Sequence, residues 1–143
     1  MVVIDNALWA ETLRRNEHGP GGVRSFVKRI FEDAAPLLAQ INYHPVVTQL
    51  IIMKHLQAYR DQGFDETLPT ADEYHDSLQA WKIRHKIADR SAILIGLSGR
   101  TWGRSGGLAF ANELCRPHPR NLATMIVKAH GVYVVNSLVH ELG

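Results

Sequence analysis

Short runs of apolar residues alternate along the chain with segments in which apolar residues recur every three or four positions. Continuous apolar runs of about four to eight residues are typical of buried strands, whereas the three- and four-residue spacing is typical of amphipathic helices. Their alternation predicts an α/β domain with a twisted, mostly parallel sheet and helices on both faces. The expected order is strand, helix, strand, helix, three strands and a final helix.

The strands are predicted at residues 1–4, in the first half of 46–59, and at 91–97, 108–111 and 123–127. A first helix is predicted over residues 23–41, with the glycine-rich segment 19–22 marking its start and Pro36 as a candidate kink. A second helix is predicted after Thr70, because Thr70 and Glu73 have the spacing of a capping box. A third is predicted from Gly131 onward.

The composition is that of an ordinary globular protein, with 143 residues, 45% hydrophobic and 21% charged. This length indicates one domain. Sixteen basic and fourteen acidic residues leave a net charge of +2, which does not favour nucleic acid or an anionic membrane as a partner. No apolar run reaches the roughly 18 residues that a membrane span needs. The N-terminus lacks the pattern of a signal peptide, and a strand at the first residue suggests trimming there.

The last predicted helix ends in His140-Glu141-Leu142-Gly143, the first four positions of the zinc motif H-E-x-x-H. In that motif two histidines project from one helix face toward a metal ion, and the glutamate takes a proton from the metal-bound water. The position of the second histidine would follow Gly143. A His-Glu pair at the end of a helix is more often a solvated surface pair, so the motif needs support from elsewhere in the chain.

That support comes from segments that occur in a characteristic order. They are residues 2–6 (VVIDN), 77–82 (SLQAWK), 89–95 (DRSAILI), 107–115 (GLAFANELC) and 139–143 (VHELG). Together they resemble the catalytic domains of reprolysin-type (adamalysin) zinc proteases, the metzincin group that includes snake-venom metalloproteases and the ADAM and ADAMTS proteins. The resemblance extends over essentially the whole chain.

This resemblance implies a zinc-dependent endopeptidase with a metzincin-like upper subdomain, in which His140 is the first zinc ligand and Glu141 is the catalytic base. Residues 1–143 would be a partial catalytic domain, truncated at both ends and lacking the lower subdomain. Catalytic zinc requires about three protein ligands, and two of them would be missing. The chain by itself is therefore expected neither to hold zinc tightly nor to cleave peptides.

The resemblance also assigns roles outside the zinc motif. Asp89 resembles an aspartate of a structural Ca²⁺ site, whose partner glutamate would precede Met1. Cys115 resembles a cysteine that forms a disulfide with one beyond the zinc motif, which implies an extracellular location, either secreted or on the ectodomain of a membrane protein. Residues 107–112 would form an edge strand beside the active site, to which an extended peptide or protein substrate adds by backbone hydrogen bonds.

Other interpretations stay open from the residues alone. Cys115, the single cysteine, is either a buried thiol or half of a disulfide. The loop at 99–107 departs from the phosphate-binding loop motif and is predicted to be a surface loop in which Trp102 is either packed or partly exposed. The seven other histidines are predicted not to bind metal. The alternative function is a non-catalytic α/β binding module in which the terminal HELG is coincidental or decayed.

Overall fold

The computed structural model describes residues 1–15, 19–86, 93–109, 123–129 and 133–142. The secondary-structure elements follow in the order β1 (Val2–Ile4), α1 (Asn6–Arg14), α2 (Gly19–Ala39), β2 (Leu50–Ile52), α3 (Leu56–Asp61), α4 (Ala71–Arg84), β3 (Leu94–Ser98), β4 (Gly107–Ala109), β5 (Thr124–Lys128) and α5 (Val134–Leu142).

The five strands form one sheet in the order β2-β1-β3-β5-β4. Strands β2, β1, β3 and β5 run parallel to one another, and β4 pairs antiparallel with β5 at one edge. In that antiparallel pair Gly107 lies opposite Val127 and Ala109 lies opposite Met125. The predicted α/β class and the mostly parallel sheet are confirmed.

One face of the sheet is covered by α1, α2 and α5. Because side chains alternate between the two faces along a strand, Val2 and Ile4 of β1 point to this face and Val3 points to the other. Helix α2 contributes buried residues at three- and four-residue spacings, namely Val23, Val27, Ile30, Ala34 and Leu38. Within the described ranges no helix combines the length and the apolar character needed to cross a bilayer.

Helix α4 covers the opposite face of the sheet. Its buried Tyr74, Leu78 and Trp81 pack with Phe64 in a second core cluster. The side chain of Thr70 accepts a hydrogen bond from the Glu73 backbone N–H, which caps the helix as the spacing predicts. The reciprocal contact differs from a standard capping box, because the Glu73 carboxylate accepts from the Thr70 hydroxyl.

Two helices of the structure are absent from the sequence prediction. Helix α1 buries only Leu8, Trp9 and Thr12, and α3 is six residues long without a fully buried side chain, so neither has a sustained apolar stripe. The helix predicted over residues 23–41, with residues 19–22 marking its start, corresponds to α2, which begins at Gly19 and ends at Ala39. Helix α1 is stabilised by its Asp5 cap and by the burial of Leu8 and Trp9, which override a weak local preference.

Candidate active site

Helix α5 holds the candidate catalytic residues, and its apolar stripe determines where they face. Val134, Leu138 and Leu142 are buried at four-residue intervals and join the core on the face shared with α2. Four-residue spacing places side chains on one side of a helix. With that side in the core, His140 is left exposed and Glu141 half-buried.

The edge strand β4 lies next to the Glu141 side of α5. Ser137 and Glu141, one helical turn apart, both face glycines at this edge. A β-carbon built onto Gly106 would lie 2.8 Å from the Ser137 hydroxyl oxygen, and one built onto Gly107 would lie 2.9 Å from Oε1 of Glu141. The helix and the strand therefore approach more closely than side chains on these two residues would allow.

The carboxyl group of Glu141 is in a partly desolvated environment. Burial raises its pKa above the ordinary glutamate value, and two weaker influences oppose the rise. These are the imidazole of His140 and a hydrogen bond from the backbone N–H of Ala109 in β4. The carboxylate thus lies against the edge strand with a raised pKa, which is a common property of a general base.

Among the described residues, His140 is a single candidate metal ligand on α5. Across the described parts of the chain, no group of three or more His, Cys, Asp and Glu side chains is arranged to hold a metal ion. The exposed imidazole of His140 suits the role of one zinc ligand, but a catalytic zinc needs about three protein ligands. The described donors therefore fit part of a zinc site and not a whole one.

Two further residues from the sequence analysis, Asp89 and Cys115, lie outside the described residues. Their assignments to a Ca²⁺ site and to a disulfide stay predictions. Among the other histidines, His75 is buried on α4 and forms a 2.8 Å hydrogen bond with the carbonyl oxygen of Thr124. That contact ties α4 to β5, which is a structural use of the imidazole. Trp102, left open by the sequence, is buried and packs edge-on against Tyr74.

The structure also reveals a buried polar cluster that the sequence analysis missed. The Asp5 carboxylate accepts hydrogen bonds from the backbone N–H groups of Leu8 and Gly99, at 2.8 and 3.0 Å, and from the hydroxyls of Tyr74 and Ser98. Asp5 thereby caps α1 and joins the carboxyl ends of β1 and β3. The available sequence signal was an Asp directly after an apolar strand, which is a standard helix N-cap residue.

Glu66 is the second carboxylate of this cluster. It accepts from the backbone N–H groups of Asn6 and Ala7 at the start of α1, and from the guanidinium of Arg100 at 3.3 Å. Burial raises the pKa of Asp5 and of Glu66, and the charge of Asp5 raises that of Glu66 further. Because helix α1 and the strand ends already occupy both carboxylates, the cluster is a structural feature of the carboxyl edge of the sheet.

Comparison with models of known protein families and with curated proteins found no match for this chain.

Proposed function

We propose that the chain supplies the first zinc ligand, His140, and the general base, Glu141, of a zinc-dependent endopeptidase of the reprolysin type. The observation that carries the proposal is the position of Glu141, half-buried on α5 with its carboxylate against the edge strand β4. Support also comes from the terminal HELG and from the ordered segments that resemble reprolysin catalytic domains.

The proposed substrate is an extended peptide or protein segment that adds to β4. Strand addition needs a sheet edge with backbone groups directed outward, and β4 is at the edge of the five-stranded sheet. A peptide bound along this edge would run past the Glu141 carboxylate. Backbone pairing would hold the peptide with little dependence on its side chains, while a carboxylate beside its carbonyl groups is suitably placed for hydrolysis.

The proposed role of Glu141 is to remove a proton from the water that attacks the peptide carbonyl. Its raised pKa brings the carboxyl closer to the operating pH, which favours proton transfer. Zinc, when bound, supplies Lewis-acid activation of that water. Because the resemblance places the other two ligands beyond Gly143, and a catalytic zinc needs about three protein ligands, the 143-residue chain alone is expected neither to bind zinc tightly nor to hydrolyse peptides.

The other ligands are proposed to come from a longer polypeptide that contains this chain as a partial catalytic domain. Within the same proposal Cys115 forms a disulfide with a cysteine beyond the zinc motif, and the protein acts outside the cell as a secreted enzyme or an ectodomain. A structural Ca²⁺ at Asp89 belongs to the same proposal and requires a glutamate from outside residues 1–143.

The first experiment reads the source transcript beyond the codon for Gly143 and measures zinc binding by calorimetry. We expect histidines at the remaining positions of H-E-x-x-H-x-x-G-x-x-H, tight one-to-one zinc binding by the extended protein and weak binding by residues 1–143. His140→Ala in the extended protein should abolish tight binding. A reading frame that continues without those histidines would reduce the assignment to a non-catalytic α/β module.

The second experiment tests Glu141 in the extended protein with the substitution Glu141→Gln. The variant should keep its zinc and lose about 10²- to 10⁴-fold in peptide turnover, the usual contribution of a general base. Glu32→Gln, which removes an exposed carboxyl on α2, is the matched control and should retain full turnover. Full activity in Glu141→Gln would show that another group acts as the base.

A further inference from the structure

Gly107 in β4 faces the carboxylate of Glu141 at very short range. A β-carbon at this position would lie 2.9 Å from Oε1 and 3.0 Å from Cγ of Glu141. Carbon atoms in contact prefer separations of about 3.5 to 4.0 Å. Any side chain on Gly107 would therefore push the Glu141 carboxyl away from the strand.

The backbone dihedral angles of Gly107 do not require glycine. Gly103, in the neighbouring turn, has a φ of 58°, which disfavours other residues, whereas Gly107 has no such positive φ. Glycine in a strand also weakens the strand and often marks a close approach of another group. The close approach at Gly107 involves two groups, the Glu141 side chain and the carbonyl oxygen of Ile126, 2.7 Å from a built β-carbon.

We propose that Gly107 is a positioning residue for Glu141, because its missing side chain leaves the space in which the carboxylate lies against β4 beside the Ala109 N–H. This positioning role rests on the proposed function of Glu141 as the base. The contact between Gly107 and Glu141 is independent of that proposed function. Gly106 differs, because a β-carbon there would meet Ser137, with the hydroxyl oxygen at 2.8 Å, and no atom of Glu141 within 4 Å.

The contact can be measured in the 143-residue chain by NMR, as nuclear Overhauser effects from the Glu141 side-chain protons to the Gly107 α-protons and to the Ala109 amide proton. In the unsubstituted chain both effects should be observed, because Cγ of Glu141 lies 3.0 Å from the β-carbon position of Gly107 and its carboxylate lies beside the Ala109 N–H. In Gly107→Ala the effect between Glu141 and the Ala109 amide should disappear, because the added methyl group displaces the Glu141 side chain from the strand.

Two glycine variants serve as matched controls for this measurement. Gly106→Ala adds the same methyl group one residue away and should keep the effect between Glu141 and the Ala109 amide. Gly21→Ala lies on α2, where a β-carbon meets nothing within 4 Å, and should leave it unchanged. The absence of this effect in the unsubstituted chain, or its persistence in Gly107→Ala, overturns the proposal.

A double-mutant cycle separates the Glu141 contact from the Ile126 contact. The effect of Gly107→Ala on stability is measured in the unsubstituted chain and in the Glu141→Ala variant. The Ile126 carbonyl is present in both, so the difference between the two effects reports the interaction between residues 107 and 141. The change in the unfolding equilibrium constant should be at least about twofold smaller in Glu141→Ala, the lower end of coupling for residues in contact. Equal effects in both chains would show that Gly107 is needed only to avoid the Ile126 carbonyl, which is a structural role.

The same cycle decides the case in which Gly107→Ala does not fold. If Gly107→Ala does not fold but the double variant with Glu141→Ala does, the proposal is supported. If neither the single nor the double variant folds, the proposal is refuted. None of these measurements uses zinc or turnover. A result against the positioning role would therefore leave the endopeptidase proposal standing, and a failed zinc experiment would leave the Gly107 contact intact.

Discussion

At the scale of single residues, Asp5 shows how one carboxylate connects three elements. Four donors from α1, from α4 and from the end of β3 converge on its two oxygens. Three of these hydrogen bonds are buried, and the one from the Gly99 N–H is partly buried. The loss of all four acceptor contacts would leave several polar groups unsatisfied, which costs far more than the loss of an exposed hydrogen bond.

We therefore expect Asp5→Ala to lower the free energy of unfolding by about 3 kcal/mol or more, since each buried unsatisfied group costs roughly 1 to 3 kcal/mol. Asp5→Asn should cost clearly less. Asparagine is also a good N-cap, its oxygen can accept from Leu8 and Gly99, and the two hydroxyls can reverse their direction. Urea denaturation of the two variants measures the difference, and equal stabilities would contradict the role of the four hydrogen bonds.

At the scale of elements, one side of α5 packs in the core and the other side contacts β4. One side contributes Val134, Leu138 and Leu142 to the core, and the other presents Ser137 and Glu141 to β4. The buried stripe sets the rotation of the helix about its axis. The position of the candidate base therefore depends on core packing as much as on the residues around it.

Leu138→Ala tests the anchoring of α5. Leu138 is completely buried, and truncation of such a leucine typically costs about 2 to 5 kcal/mol. We expect a loss of this size in chemical denaturation, together with a change in the Glu141 titration as the helix shifts. Asn136→Ala, an exposed position on the same helix, should change neither. A small loss for Leu138→Ala would show that α5 is held mainly by other contacts.

At the scale of the whole molecule, the sheet separates two core clusters with different character. The cluster shared by α1, α2 and α5 is dominated by aliphatic side chains. The cluster under α4 is rich in aromatic rings, with Tyr74 centred 5.3 Å from Phe64 and 4.9 Å from Trp102 in edge-on contacts. Such aromatic pairs add about 0.5 to 1.5 kcal/mol beyond their buried area.

The pH dependence of stability is a property of the whole molecule that the raised carboxyl pKa values predict. A carboxyl whose pKa is higher in the folded than in the unfolded state stabilises the fold while protonated, and this stabilisation is lost as pH rises through the folded value. Asp5, Glu66 and Glu141 all have raised pKa values. The free energy of unfolding should therefore fall as pH increases above their ordinary values of 3.8 and 4.5.

The measurement is a series of urea denaturation curves across this pH range. Glu66→Gln should flatten the decline, because it removes one of the carboxyls with a raised pKa. Glu32→Gln, which removes an exposed carboxyl on α2, is the control and should keep the slope of the unsubstituted chain. A stability that rises with pH throughout the window would contradict the direction of these pKa shifts.

The sequence by itself determined the features that depend on local pattern. Apolar runs and helical spacings placed the five strands and the helices α2, α4 and α5 in order, because burial of one face imposes a period on the chain. The Thr70 cap was predicted from its spacing to Glu73. His140 and Glu141 were singled out because their motif lies within a single helical turn. Helices α1 and α3 escaped prediction because few of their residues are buried.

Only the tertiary structure decided which distant residues meet. The strand order, the placement of β4 at the sheet edge and the approach of Gly107 to Glu141 all join segments separated along the chain. The convergence of Asp5, Glu66 and Arg100 is of the same kind. A local pattern records which side of an element is buried, but the free energy that selects its partner comes from packing and hydrogen bonding across the whole fold.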